Sequence, residues 1–233
     1  MIDYSTIKVI AFDADDTLWV NETYFREVED EFARLLSDYE TENKLGQELF
    51  KTEMDNLNLY GYGVKSFMLS MIESALEVSN YQVDHKVILR IIELGKQMLE
   101  KPIELLEGVE DTLKALKDNY KLILVTKGDL LDQERKLEKS GLEHYFNQIE
   151  IVSDKKASNY QGVIHQLEVK PSEFLMIGNS LKSDVLPLLE IGAKAIHIPF
   201  HTTWAHELIE KQENDQRYHT ISNLTDIVKI MQG

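Results

Sequence analysis

Ile7-Lys8-Val9-Ile10-Ala11-Phe12-Asp13-Ala14-Asp15-Asp16-Thr17 decides how the chain is read: a short apolar run that stops abruptly in carboxylates and a hydroxyl. The run lacks the alternation of a half-wet strand. Four more of the same kind follow, Leu122 to Val125, Ile149 to Val152, Phe174 to Ile177 and Ala195 to Ile198. Such short runs rich in Ile, Val, Leu or Phe are expected of strands buried on both faces of a parallel sheet. Helical spacing lies between the later ones. Val109, Leu113 and Leu116 form a stripe ended by Asp118-Asn119, and Leu130, Leu131, Arg135 and Leu137 precede Gly141. Val163, Ile164 and Leu167 lead to Pro171, and Val185, Leu188, Leu189 and Ile191 lead to Gly192. Strand and helix in regular succession imply right-handed crossovers and a doubly wound parallel α/β core.

From about Val20 to Pro102 that rhythm is broken. No strand is legible there, while Phe25, Val28, Phe32, Leu35 and Leu36, then Leu45, Leu49, Phe50 and Met54, recur with helical period. After Gly61-Tyr62-Gly63 come Phe67, Met71, Ile72 and Ala75, then Val87, Ile88, Ile91, Ile92 and Leu99. Four amphipathic helices fit this pattern. The expected organisation is therefore an α/β domain over residues 1–19 and 103–233, with residues 20–102 spliced in as a helical domain. The crossing points near Trp19 to Asn21 and Lys101 to Glu107 are the expected hinges. Leu224 to Met231 reads as a last amphipathic helix docked on the core.

The 233 residues carry 25 Lys and Arg against 41 Asp and Glu, a formal net charge of −16. So acidic a chain argues against a nucleic-acid polymer or an anionic membrane as partner. An anionic substrate then needs a local device, such as a metal ion, to overcome the repulsion. The absence of cysteine excludes disulfides, thiolate metal sites and cysteine nucleophiles. No apolar run approaches the ~18 residues needed to span a bilayer. No secretory signal is visible at Met1-Ile2-Asp3-Tyr4, so a cytoplasmic protein is expected.

The chemistry follows the strands. The first run ends in Asp13-Ala14-Asp15-Asp16-Thr17, the second in Thr126-Lys127-Gly128-Asp129 and the third in Ser153-Asp154-Lys155-Lys156. The fourth ends in Gly178-Asn179-Ser180, with Asp184 a few residues on. In a parallel sheet these ends share one edge, where open α/β folds bind ligands. Asp13, Asp15 and Asp184 so gathered repel one another unless a cation sits among them. Oxygen donors without His or Cys point to a hard ion, Mg²⁺. The ion and Lys155 would neutralise a phosphate dianion, while Thr126 and backbone N–H groups after Asp13 donate to its oxygens. One carboxylate is left to attack phosphorus and another to move protons.

Asp-x-Asp-x-Thr after a first strand, then Thr, Lys and Gly-Asn-Ser-x-x-x-Asp, resembles the haloacid dehalogenase superfamily, in its phosphatase type. The resemblance covers essentially the whole chain. It implies a Rossmann-like core with an all-helical cap inserted between the first and second motifs. On that pattern Asp13 is the nucleophile. Asp15 protonates the leaving oxygen, then deprotonates the hydrolytic water, and lends its backbone carbonyl to Mg²⁺. Thr126 binds the phosphoryl group, Lys155 steadies its charge, and Asn179 with Asp184 completes the metal site. The fourth motif departs from the family's usual Gly-Asp, since Gly178 is followed by Asn179, an amide that brings no charge. Of the adjacent Lys155 and Lys156 only one can point inward, and Lys155 is nearer the strand end.

Other residues have plainer readings. Asp16 is expected to cap a helix or face solvent. His201 and His206 lack the i, i+4 spacing of a zinc helix and are expected in loops. Tyr60-Gly61-Tyr62-Gly63-Val64-Lys65 is either a helix–helix turn or a specificity loop closing over the leaving group, in which case Tyr62 and Lys65 join Lys127 as substrate contacts. The runs Glu27 to Glu31 and Glu210 to Asp215 read as solvated faces. The expected activity is Mg²⁺-dependent hydrolysis of a small phosphorylated metabolite through an aspartyl-phosphate. A phosphomutase or a dehalogenase on the same fold, a phospho-accepting receiver and a catalytically silent binding protein are the alternatives. Oligomeric state is not legible.

Overall fold

Alternate residues of the apolar runs point to opposite sides of one sheet, which is why the runs are continuous rather than patterned. In the computed structural model, which describes residues 2–209 and 217–232, Ile10, Phe12, Leu122, Leu124, Leu175 and Ile177 bury on one face. Val9, Ala11, Ile123, Val125, Phe174 and Met176 bury on the other. The strands are β1 (Val9–Phe12), β2 (Lys121–Lys127), β3 (Gln148–Val152), β4 (Phe174–Gly178), β5 (Lys194–His197) and β6 (His219–Thr220). They pair in parallel in the order β3-β2-β1-β4-β5-β6.

Helices cover both faces. On the first lie α5 (Val109–Leu116), α6 (Leu130–Ser140) and α9 (Asp226–Gln232), which contribute Leu113, Leu137 and Ile227. On the second lie α7 (Ala157–Gln166) and α8 (Leu186–Glu190), which contribute Tyr160, Val163 and Leu188. Two expectations are corrected. β3 is half-buried throughout, because it is an edge strand with a partner on one side only. Leu130 and Leu131, expected in the apolar stripe of α6, are 58% and 55% exposed, and Leu137 supplies the contact. β6 was not legible, since two residues carry no periodicity. The acidic run Glu210 to Asp215 lies outside the described residues.

The chain forms two compact units. One comprises the described residues of Met1–Glu22, Ile103–Lys127 and Glu134–Gly233; the other comprises Thr23–Pro102 with Gly128–Gln133. The second unit is built on α1 (Glu22–Leu35), α2 (Glu42–Tyr60), α3 (Val64–Val78) and α4 (His85–Glu100). Val28, Phe32, Leu49, Phe67, Met71 and Ile91 share its core. Gly61 and Gly63 separate α2 from α3 with φ of 71° and 109°, a left-handed backbone that side chains oppose. The sequence assigned residues 128–133 to the α/β part, but they pack with the helices. Lys65 pairs with Asp129 at 2.8 Å, and a Cβ on Gly63 would lie 3.3 Å from the Asp129 nitrogen.

In the α/β unit the stretches leading into and out of the helical insertion run side by side. Trp19 and Leu105 form an antiparallel bridge; Val20 N–H donates to Glu104 O at 3.0 Å and Leu106 N–H to Leu18 O at 2.9 Å. Asp16 shapes the turn before them. Its φ is 61°, and its carboxylate accepts from the N–H groups of Asn21 (2.8 Å) and Glu22 (3.0 Å) at the start of α1. This is the capping role expected of it. Asp16→Ala loses the cap, worth about 1–2 kcal/mol, and should lower the thermal midpoint by about 4 °C. Asp16→Asn tolerates the same backbone, retains an accepting oxygen and should keep most of that stability; differential scanning calorimetry compares the two.

Candidate active site

Asp13 leaves the end of β1 buried, 6% exposed, with its N–H bonded to Ile177 O of β4 at 2.9 Å. One carboxylate oxygen meets the Lys155 ammonium, and the other accepts from the Thr17 hydroxyl at 3.1 Å. Thr17 ties the first and fourth strand ends together. Its Oγ1 accepts from Asn179 N–H at 3.1 Å and has Asn179 Oδ1 as a second acceptor at 3.4 Å. Thr17 was legible as part of a motif but not as this link.

Lys155 lies three residues past β3 and is 4% exposed. Its ammonium also meets Asp184 Oδ1 at 2.7 Å. Lys156 points outward, its side chain 73% exposed and paired with Asp154 at 2.8 Å. Backbone alternation separates the two lysines.

Asp184 is carried by a π-helical turn, Leu181–Val185, that follows β4. Its Oδ2 accepts from Ser180 N–H at 3.0 Å. Gly178 makes room for it, because a Cβ at that position would lie 2.3 Å from the Asp184 carboxyl carbon. Tyr160 of α7, not singled out from sequence, props the same turn through a hydroxyl bonded to Ser183 O at 3.0 Å.

Two buried carboxylates thus face one ammonium. Burial pushes the Asp13 carboxyl up to about 7; Lys155 opposes this, and the neighbouring Asp184 adds to it. Burial works against the Lys155 charge, but the two carboxylates outweigh it and hold the ammonium above its ordinary range. The excess negative charge suits a further cation. The Asp13 and Asp184 carboxylates on Lys155 and the Asn179 amide beside Thr17 carry oxygen donors alone, which suits the chemistry of Mg²⁺. Among the described residues no three His, Cys, Asp or Glu side chains are gathered for a metal. The oxygen donors present fit a hard divalent cation.

Asp15 differs from the expectation that its carboxylate joins those of Asp13 and Asp184. It accepts from Trp19 Nε1 at 2.7 Å and pairs with Lys136 at 2.6 Å. Lys136, on α6, was invisible as a site residue because nothing local marks it. Thr126 is 2% exposed near the end of β2, two residues past Leu124, the register partner of Phe12. Lys127 turns to Glu207, pairing with it and donating to Ser183 Oγ at 2.9 Å. Its charge is therefore already matched, which the substrate-contact expectation did not foresee. Tyr62 and Lys65 stand in the helical unit, Lys65 on Asp129. His206 lies on a short 3₁₀ turn (Ala205–Glu207), with its Nε2 3.2 Å from the Lys182 ammonium.

Known proteins resemble the chain along most of its length. A family model for haloacid dehalogenase-like hydrolases matches residues 7–192. Human N-acylneuraminate-9-phosphatase is 21% identical over 98% of this chain and 95% of its own length. A haloacid dehalogenase-like family hydrolase from Xanthomonas campestris is 36% identical, with a TM-score of 0.88 over 97% of this chain and 91% of that one. The magnesium-bound putative HAD-hydrolase YfnB from Bacillus subtilis is 19% identical, with a TM-score of 0.64 over 97% and 99%. The strand-end cluster and a family match that spans most of the sequence lead to one conclusion: the chain belongs to the haloacid dehalogenase-like hydrolases and is an enzyme of that family.

Proposed function

We propose that this enzyme is a Mg²⁺-dependent phosphomonoester hydrolase that acts on a small phosphorylated metabolite through an aspartyl-phosphate on Asp13. The observation that carries the reading is the convergence of the Asp13 and Asp184 carboxylates on the buried Lys155 ammonium at one edge of the sheet. The curated relatives are phosphatases by name, and a phosphorylated small molecule is the substrate class carried over from them. The magnesium-bound structure of YfnB supports the choice of ion.

The residues divide the work as follows. An Asp13 oxygen attacks phosphorus while the bond to the leaving oxygen breaks, and Asp15 gives that oxygen its proton. Water then attacks the phosphoryl group, Asp15 takes the water's proton, and the bond from phosphorus to Asp13 breaks to release phosphate. Thr17 and Lys155 fix the orientation of the Asp13 carboxylate. Thr126 and Lys155 donate to phosphoryl oxygens, and these bonds strengthen as charge develops. Asp13, Asp184, Asn179 and the Asp15 carbonyl would hold Mg²⁺, which supplies charge neutralisation at the phosphoryl group. Asp15 carries a proton into the first step, so its pairing with Lys136 opens on substrate binding. Residues 20–102 act as the cap, with Tyr62 and Lys65 contacting the part of the substrate that leaves. A dehalogenase has no leaving alkoxide to protonate, which weighs Asp15 towards phosphate esters.

Hydrolysis of p-nitrophenyl phosphate should require Mg²⁺, stop with EDTA and fall at least about 1,000-fold in Asp13→Asn, which keeps the shape and removes the nucleophile; unchanged turnover would sink the mechanism. Asp15→Asn separates the roles of the two carboxylates. Nitrophenolate leaves without a proton and an alkoxide does not, so kcat/KM should fall by about 100-fold or more on an alkyl phosphate and much less on the nitrophenyl ester. An equal loss on both esters rejects Asp15 as the acid. For the cap, Tyr62→Ala should reorder a panel of phosphorylated metabolites while leaving p-nitrophenyl phosphate turnover within about threefold; uniform losses would make the stretch structural.

A further inference from the structure

Glu207 lies outside every motif read from the sequence, on the 3₁₀ turn Ala205–Glu207 between β5 and β6. Its side chain is 10% exposed, and the Lys127 side chain paired with it is 17% exposed. One carboxylate oxygen takes the Lys127 ammonium. The other accepts from both the Ser180 hydroxyl and the Ser183 hydroxyl, the latter at 2.7 Å.

These partners frame the proposed chemistry. Lys127 follows Thr126 at the end of β2. Ser180 and Ser183 open and line the turn that presents Asp184: Ser180 Oγ accepts from Ser183 N–H at 3.0 Å, and Asp184 N–H donates to Ser180 O at 2.8 Å. Lys127 also donates to Ser183 Oγ at 2.9 Å, which closes a ring of Glu207, Lys127 and Ser183. Lys182 Nζ donates to His206 O at 2.7 Å and adds a second tie between the same two segments. Burial alone would raise the Glu207 carboxyl, but Lys127 and the two hydroxyls bring it down to about 2, so the charge the ring needs is held.

We propose that Glu207 is a positioning residue that locks the end of β2 to the turn after β4, and so holds Thr126, Asn179 and Asp184 where phosphoryl and divalent-cation binding require them. The inference rests on the phosphatase reading above and adds a residue from a loop that reading does not use. Glu207 need not touch the substrate. Its effect passes through the two serines, as outer partners of metal ligands act elsewhere.

The test uses Glu207→Gln in the full chain. The amide keeps the size and still accepts from a serine, but it loses the charge that matches Lys127. With Mg²⁺ alone, titration calorimetry should show affinity about tenfold weaker than wild type. With p-nitrophenyl phosphate at saturating Mg²⁺, kcat should fall by about tenfold while KM changes by less than about threefold. Circular dichroism and the thermal midpoint should stay close to wild type. Ser183→Ala, which keeps the ion pair and removes one tie, should weaken Mg²⁺ binding in the same direction and covers the case in which Glu207→Gln fails to fold. Wild-type Mg²⁺ affinity and kcat in both variants would overturn the role of Glu207 and leave the phosphatase reading intact. A wild-type protein that binds no Mg²⁺ and hydrolyses no phosphate ester would overturn the phosphatase reading first.

Discussion

The buried ammonium of Lys155, held between Asp13 and Asp184, is the constraint on which the rest of the site depends. Three charged groups at 4%, 6% and 1% exposure are costly to take out of water, and their mutual attraction offsets that cost together with hydrogen bonds from Thr17 and Ser180. Removing the lysine would leave two carboxylates facing each other in a low-dielectric pocket, a loss of about 3–5 kcal/mol by comparison with other buried pairs. Removing either acid would leave the remaining pair neutral but would take away the excess charge that favours a divalent cation. On the proposed reading the same triad serves stability and function, and its negative surplus is what would hold the cation.

The fold supplies this arrangement through strand ends. Asp13 can meet Lys155 and Asp184 only because β1 is central, with β2 on one side and β4 on the other. That is also where the strand order reverses and the crevice of a doubly wound sheet opens. Small residues then set the distances. Gly178 gives the Asp184 carboxyl its space, and the Thr17 hydroxyl spans from Asp13 to Asn179. Tyr160 supports the Asp184 turn from the helix that follows Lys155. Each contact joins segments more than twenty residues apart or a strand end to the turn beside it, so separate parts of the chain hold the charged groups in place.

Much of this was legible in the sequence because it is written in short-range signals. Five continuous apolar runs gave the parallel sheet, and helical period gave α1 to α4. The residues just past each run gave Asp13, Thr126, Lys155 and Asp184. What was missed has no local signature. β6 is two residues long, and β3 looks like a central strand until its missing neighbour is known. Lys136 and Glu207 matter through pairings with Asp15 and Lys127, at separations of 121 and 80 residues, and a single sequence carries no record of such distances. Residues 128–133 were placed in the α/β part by sequence order, whereas they pack with the helical unit, where Lys65 pairs with Asp129.

Electrostatics gives these missed residues a common meaning. A chain with net charge −16 would be expected to draw a phosphate in with lysines, yet the lysines here are already matched. Lys155 pairs with Asp13 and Asp184, Lys136 with Asp15, and Lys127 with Glu207. With all four carboxyls ionised, three ammonium groups leave the cluster one charge negative, although burial of Asp13 opposes full ionisation. Attraction of a phosphate dianion by these matched cations is therefore weak, and a divalent cation held among the carboxylates, as proposed, would change the sign of the local charge. On this account the lysines fix where the carboxylates stand, and the proposed Mg²⁺ supplies the positive charge that phosphate recognition needs.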